Sequence, residues 1–393
     1  MNKKKLLIVT NRFFPDIGGA ETNIYYQAKL LTKSYDVTVV TPKRNHLPDE
    51  EKIDGIKIKR LNDLLNKNNF YPNNRANTFC LKVFNEIIFG SYSVVQCFPS
   101  LNYNNAIARL ACLIKRVPCI LCVFDMLDYN YILKTNGKIE KNVLEKSPPS
   151  LWRKLLLKSF HQIYGISNAE ISFLKKINPK VDFSPVPVLL DEYKKNPINP
   201  LGKYGFNEEK FTFFMLGRVS ELKGHDIALK AFIKFYKKYP NSQMAIIGRN
   251  DYSGRAINEL KEKVKKEGLS SSVVFTGPVE RDEVLGRLRH GDIHIIPVRF
   301  MNSGAVVVET WASNTPVIQS DAVDPNLVVD GVNGFSFPSE DVDALVEKME
   351  KAYLSKDNLP RLANEGRKLV DEKFNYDYLI NLYEKKFNEL LKI

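Results

Sequence analysis

Short runs of apolar and β-branched residues alternate with longer stretches of helical periodicity along most of the chain. In the first half the runs are KLLIVT (5–10), DVTVVT (36–41), SVVQCF (93–98), PCILCVF (118–124) and QIYGIS (162–167). In the second half they are FTFFML (211–216), QMAIIG (243–248), VVFTG (273–277), IHIIPV (293–298) and TPVIQS (315–320). Most of these runs are continuously apolar rather than strictly alternating, as in strands buried on both faces. Helical patterns fall between them, near 23–33, 77–89 and 104–116, and then near 226–238, 255–267, 281–289 and 304–313. Strand and helix in regular alternation predict an α/β protein with parallel, doubly wound sheets.

The pattern breaks at Asp191 to Glu209, DEYKKNPINPLGKYGFNEE, which is rich in Pro, Asn, Gly and Lys and has no periodicity. Each side builds its own βα series. The expected domains are therefore 1–193 and 194–375. Residues 376–393 read as an amphipathic helix able to close either domain, crossing back to the first in one of the two cases. Two such domains would face each other across a cleft. Ligands of doubly wound sheets bind beyond the carboxyl ends of the strands, so functional residues are expected in the loops that follow them.

Charge divides the chain as sharply as the linker does. The net charge is +13, and residues 1–196 carry all of it, the remainder being neutral. The first half is expected to meet something anionic. It lacks a nucleic-acid reading motif and a dense aromatic–basic interleaving, which disfavours a nucleic-acid partner. The helical segment SLWRKLLLKSFHQIY (150–164) sets Leu151, Trp152, Leu155 and Leu156 on one face beside Arg153, Lys154 and Lys158. It reads either as a helix packed on the first sheet or as one resting on an anionic membrane surface. The apolar run after Lys3–Lys5 is too short for a signal peptide, and no stretch approaches the length of a membrane span. All five cysteines lie in the first half, mostly in apolar runs, as buried free thiols of a reducing compartment do. The expected location is cytoplasmic, peripheral at the inner face of the membrane if the helix lies on lipid.

The strongest local signal is MLGRVSELKGHDIALKAF (215–232). A strand ends at Gly217, Arg218 follows at once, Lys223 and Gly224 come five residues later, and a helix begins. Cations beside a helix N-terminus suit a diphosphate, although loop charges are often merely solvated. DIGGAETN (16–23) puts Gly18 and Gly19 after the first strand, where backbone can approach a ligand closely or simply turn. It is not GxGxxG, which disfavours a nicotinamide dehydrogenase. In RFMNSGAVVVETWASNTPVIQS (299–320), Asn302 or Ser303 is expected to cap a helix whose first N–H groups meet an anion. Glu309 lies one to two turns inside that helix. A carboxylate with no cation beside it needs donors: ribose hydroxyls would serve, and so would backbone or a lysine. The five histidines show no metal spacing. His294 reads as a satisfied core residue of its strand, while His225, just past Lys223 and Gly224, is a weaker candidate for phosphate.

GRVSELKG, VVFTGPVERDEVLGRLRHGDIHIIPV, SGAVVVETWASNTPVI and DGVNGFSFP, in that order, resemble the donor domain of glycosyltransferase family 4. VTNRFFPDIGGAETNIYYQAKLL resembles the start of its acceptor domain. The resemblance implies the GT-B fold, two Rossmann-like domains facing across a cleft, and a retaining, metal-independent sugar transfer with no cofactor beyond the nucleotide-diphosphate sugar itself. It places Arg218 and Lys223 on the donor diphosphate, Glu309 on the ribose, and Gly217, Gly248 and Gly277 at the strand ends around the nucleotide. Gly18 and Gly19 would face the phosphates, and Asn302, Ser303, Gly304 and Ala305 would offer N–H groups to the sugar and β-phosphate. Ser167 and Asn168 would sit at a strand-to-helix turn. Two departures stand out. Met301 occupies the position of the first acid of the family's glutamate pair, and Phe124 stands before Asp125 where the family commonly has a histidine. Asp125 is the nearest polar substitute for catalysis. The implied acceptor is a glycan or lipid-linked sugar of surface polysaccharide or glycoconjugate synthesis. Two alternatives are a catalytically impaired relative that binds nucleotide or glycan beside an active enzyme, and a nucleotide-sugar epimerase.

Overall fold

The computed structural model describes residues 3–16, 18–44, 47–64, 79–124, 150–194, 199–200, 202–250, 254–299 and 304–392. Asp125, Asn302 and Ser303 lie outside the described residues, as does Met301. The chain divides into two compact units: Met1–Pro185 with Tyr376–Ile393, and Val186–Asn375.

The first unit is an eight-stranded sheet in the order β3-β4-β2-β1-β5-β6-β7-β8. Its strands are β1 (Lys4–Val9), β2 (Tyr35–Pro42), β3 (Glu50–Ile53), β4 (Ile56–Leu61), β5 (Val94–Cys97), β6 (Cys119–Val123), β7 (Gln162–Gly165) and β8 (Val181–Phe183). All neighbours are parallel except β3 and β4, which form a hairpin. The runs read as continuously apolar become the interior strands, and β5, β6 and β7 are buried along their whole length. The edge hairpin escaped that reading because EEKIDGIKIKR alternates with charges, and its signal is the Asp54–Gly55 turn, where both residues have positive φ.

The described helices of this unit are α1 (Gly19–Leu31), α2 (Lys82–Phe89), α3 (Tyr103–Lys115), α4 (Leu151–Ser159) and α5 (Asn168–Lys175). Local chemistry starts several of them. Asn102 caps α3 by accepting from the Asn105 N–H at 3.0 Å. Ser167 caps α5 by accepting from the Glu170 N–H, while the Glu170 carboxylate reaches back to the Ile166 N–H at 3.1 Å. Ser167 and Asn168 thus stand at the turn from β7 into α5. All five cysteines are free and buried.

The second unit is a six-stranded, wholly parallel sheet in the order β11-β10-β9-β12-β13-β14. Its strands are β9 (Phe211–Leu216), β10 (Ser242–Ile247), β11 (Val273–Gly277), β12 (Ile293–Ile296), β13 (Val317–Ser320) and β14 (Phe335–Phe337). The helices are α6 (Leu190–Lys194), α7 (His225–Lys238), α8 (Arg255–Lys266), α9 (Arg281–His290), α10 (Ala305–Ala312), α11 (Val342–Leu354) and α12 (Leu359–Lys373). One core packs β9 and β10 against α7, α8 and α11; the other packs the opposite face against α9, α10 and α12. The strand order reverses between β9 and β12. Ligand sites of open α/β sheets lie at such a switch point, beyond the carboxyl ends of the strands.

The passage between units falls earlier than the 193/194 division drawn from the linker. The chain enters the second unit at Val186. Val188 donates its N–H to the Phe374 carbonyl at 3.0 Å and packs in that unit's core with Tyr193, both being buried. The apolar segment VPVLL (186–190) therefore belongs with the second unit. The last helix, α13 (Tyr376–Leu391), belongs to the first, where Leu379, Tyr383 and Phe387 are fully buried. The Tyr383 hydroxyl lies 3.0 Å from Ser184 Oγ, and Phe387 meets Tyr35 edge to face. Among the described residues no helix is long and apolar enough to cross a membrane.

Candidate functional site

Three glycines end three adjacent strands of the second sheet. Gly217, Gly248 and Gly277 follow or close β9, β10 and β11, with φ of 137°, 139° and 71°. Gly217 donates its N–H to Ile247 O at 2.9 Å, and Gly248 donates to Gly277 O at 3.0 Å. At Gly248 a Cβ would overlap the Gly217 carbonyl oxygen, so no side chain fits there. The result is a terrace of bare backbone at the carboxyl edge of the sheet.

Arg218 stands beside this terrace, exposed, and makes no hydrogen bond or ion pair with a described residue. Lys223 ends the short 3₁₀ turn Glu221–Lys223 and is half-buried. Its ammonium also lacks an acidic partner among the described residues. Burial holds the Lys223 pKa below the ordinary lysine range, and the Arg218 charge lowers it further. Two cations are thus brought together with no carboxylate between them, and each raises the free energy of the other. An anion placed between them would reverse both penalties.

The turn that carries Lys223 is fixed from behind. Gly224 has φ 69° and begins α7, and a Cβ there would overlap the Pro297 carbonyl oxygen. Backbone from the segment after β12 therefore lies directly against the turn. Arg299 N–H donates to Leu222 O at 3.0 Å. His225, the first residue of α7, is buried rather than presented to the terrace. Its Nδ1 lies 3.5 Å from Ser220 O, and burial pushes its pKa down to about 4.

Glu309 lies in α10, the helix that follows β12 after Gly304. The helix begins at Ala305, with Gly304 as N-cap at φ 71° and no side-chain cap. Val307 and Val308 bury the helix against the sheet, and Trp311 fixes its far end by donating Nε1–H to Asn333 O at 3.0 Å. Glu309 itself is half-buried. It does not lack a cation: Arg281, the first residue of α9, places Nη1 3.1 Å from Glu309 Oε1. The Tyr193 hydroxyl of α6 donates to the same oxygen at 3.3 Å, and Arg281 also bonds Glu192 and the Tyr193 hydroxyl. Burial opposes the charge on Arg281, but Glu309 and then Tyr193 outweigh it and raise its pKa. The lone acid of the sequence reading is one member of a four-residue polar cluster. Neither Arg281 nor Tyr193 was marked by spacing, because their elements meet Glu309 only through the tertiary fold.

His294 connects the two halves of this site. The ladder between β9 and β12 stops at Phe214 and His294. Two residues on, the Leu216 N–H donates instead to His294 Nε2 at 3.1 Å. The ring must therefore carry its proton on Nδ1, which lies 2.7 Å from the Thr310 hydroxyl, and Thr310 donates its own O–H to Val306 O at 2.7 Å. The neutral imidazole ties the end of β9, next to Gly217 and Arg218, to the helix that carries Glu309. It stacks on Phe214 with ring centroids 4.6 Å apart.

Gly18 and Gly19 stand at the N-terminus of α1 in the first unit. The buried Glu21 carboxylate packs against Gly18, and Gly19 faces open space. Phe124, just after β6, packs on Phe98 with ring centroids 5.4 Å apart.

Two parallel α/β units, the second with its cations and terrace at the switch point, define the GT-B class of fold. Residues 201–369, within the second unit, match the sequence model of the glycosyl transferases group 1. An uncharacterized glycosyltransferase of Methanocaldococcus jannaschii is 24% identical over 196 residues, 47% of either chain. The alignments span less than half the length of the first curated relatives. A solved glycosyltransferase from Rickettsia africae superposes with a TM-score of 0.77 at 18% identity, covering 100% of both chains. The Anabaena protein HepE, solved in complex with UDP, superposes with a TM-score of 0.74 at 17% identity, covering 98% of this chain and 100% of that one.

Proposed function

We propose that the protein is a glycosyltransferase that moves a sugar from a nucleoside diphosphate to a glycan or lipid-linked acceptor. The observation that carries this reading is the pair Arg218 and Lys223, converging without an acidic partner beside the strand-end terrace. Breaking the glycosidic C–O bond leaves negative charge on the departing diphosphate, and preorganised cations lower the free energy of that state. Arg218 and Lys223 supply the charge, so the reading needs no cofactor beyond the nucleotide sugar. Backbone N–H groups at the start of α10, around Gly304 and Ala305, are assigned to the sugar and β-phosphate together with Asn302 and Ser303. Glu309 is assigned to the ribose, with Gly217, Gly248 and Gly277 around the nucleotide. The anomeric configuration is retained, with the acceptor hydroxyl attacking from the leaving-group side and the phosphate taking its proton. Asp125 is the polar group proposed for the sugar pocket.

The acceptor is placed with the first unit, whose excess of positive charge suits an anionic glycan or a lipid diphosphate of surface polysaccharide synthesis. Helix α4 supports a peripheral membrane contact: Leu151, Trp152 and Leu155 are exposed on it beside Arg153, Lys154 and Lys158, with no acidic residue in the helix.

The test is titration of the whole protein with UDP, GDP and ADP and their sugars. Arg218→Ala and Lys223→Ala should each weaken binding by about 1.5–3 kcal/mol and abolish transfer. Unchanged affinity in both variants would overturn the assignment. A second reading is favoured by Met301 and Phe124, which replace groups that commonly touch the sugar in the family resembled. It is a relative that binds nucleotide and transfers nothing; donor binding without transfer or donor hydrolysis across the panel would select it.

A further inference from the structure

We propose that Arg299 is a positioning residue for the diphosphate site, holding the Lys223 turn in place and drawing the Asp226 carboxylate away from the bound anion. The proposal rests on the assignment of Arg218 and Lys223 to a nucleoside diphosphate.

Arg299 follows β12 and is the last described residue before position 304, and its side chain is 13% exposed. Every nitrogen of its guanidinium is engaged. Nη1 and Nη2 each lie 2.7 Å from a different oxygen of Asp226, a bidentate fork. Nη1 also donates to the Glu221 carbonyl, and Nε lies 3.0 Å from Glu340 Oε1. With its backbone N–H on Leu222 O, Arg299 takes up two consecutive carbonyls of the turn that ends in Lys223. Those carbonyls are the negative ends of peptide dipoles. Bound to Arg299, they are oriented toward it and not toward an anion beside Lys223.

Asp226 sits in the first turn of α7, three residues past Lys223. A carboxylate there competes with a phosphate for the same free N–H groups and opposes the two cations. Burial alone would raise the Asp226 pKa, but Arg299 overrides it, and the carboxylate is held below its ordinary range and stays charged. Its remaining described cation is Lys230 at 3.3 Å, one helical turn along an exposed face. Arg299 is therefore what keeps this negative charge neutralised and turned aside. Glu340 adds to the case for design. It reaches Arg299 from a backbone with φ 70°, a left-handed conformation that side chains other than glycine seldom adopt. A strained acid spent on an arginine makes sense where that arginine's position matters.

The experiment measures affinity of the full chain for UDP, GDP and ADP in the wild type, Arg299→Ala, Arg299→Lys, Asp226→Asn and the double variant Arg299→Ala/Asp226→Asn. Melting temperatures are taken without ligand. Arg299→Ala should weaken binding at least tenfold. Arg299→Lys should weaken it nearly as much, because an ammonium cannot make the fork and the carbonyl contact together. In the double variant, removing the exposed carboxylate should restore at least threefold of the loss, while the unliganded melting temperature stays at that of Arg299→Ala. A merely structural role gives no such restoration. Wild-type affinity in Arg299→Ala, or a double variant as weak as Arg299→Ala, would overturn the proposal with the nucleotide assignment intact. Failure of the wild type to bind any of the three would remove both. If Arg299→Ala does not fold, Arg299→Lys with and without Asp226→Asn makes the same comparison.

Discussion

Arg281 Nη1 lies 3.1 Å from Glu309 Oε1, pairing the first residue of one helix with the interior of another. The pair engages one carboxylate oxygen and leaves the second available to accept a ribose hydroxyl. Glu309→Gln should weaken the preferred nucleoside diphosphate about tenfold, near 1.4 kcal/mol. It should also erase the preference for that nucleotide over its 2′-deoxy counterpart. Titration with both ligands checks this. An undiminished preference in Glu309→Gln would place the ribose elsewhere.

His294 gives the second unit a pH dependence of known sign. Burial drives its pKa down to about 3, and His225 is pushed to about 4 by the same cause. The unfolded chain titrates near the ordinary value of about 6.5. Between these limits the unfolded state takes protons that the folded rings refuse. Stability is therefore complete above about pH 6.5 and falls as pH drops toward 4, with a slope approaching about 1.4 kcal/mol per pH unit for each histidine. Urea unfolding at several pH values in wild type and His294→Gln should show a shallower slope in the variant. Equal slopes would mean that the ring is protonated in the folded protein.

Helix α4 exposes 74% of Leu151, 47% of Trp152 and 62% of Leu155. The protein should sediment with vesicles containing anionic lipid, less with neutral ones, and less again as salt rises toward about 1 M, where the screening length falls to about 3 Å. Trp152→Glu with Leu155→Glu should abolish the sedimentation without lowering the melting temperature, since neither side chain is buried. Binding that ignores lipid charge and these substitutions would end the membrane assignment.

Much of the fold was legible because parallel strands buried on both faces write themselves as unbroken apolar runs. KLLIVT, PCILCVF, FTFFML and IHIIPV all became interior strands. What escaped was local in character, such as the charged β3–β4 hairpin, or short, such as β8 and β14 with three residues each. The helices α11 and α12 were passed over because no strand run of comparable strength separates them. At the site, Arg218, Lys223 and the strand-end glycines were visible because they are contiguous with strands. Arg281, Tyr193 and Arg299 were not. Their roles come from helices and loops brought together across 28, 116 and 73 residues of sequence, and no spacing rule spans such gaps.

The last helix makes the first unit discontinuous, with the second inserted between Pro185 and Tyr376. During synthesis, residues 186–375 leave the ribosome as a complete folding unit while the first sheet still lacks Leu379, Tyr383 and Phe387. The half that begins first must finish last, so its exposed sheet face waits on the final turns of the chain. A stop codon between Tyr376 and Phe387 would harm the amino-terminal half of the molecule more than the half it adjoins.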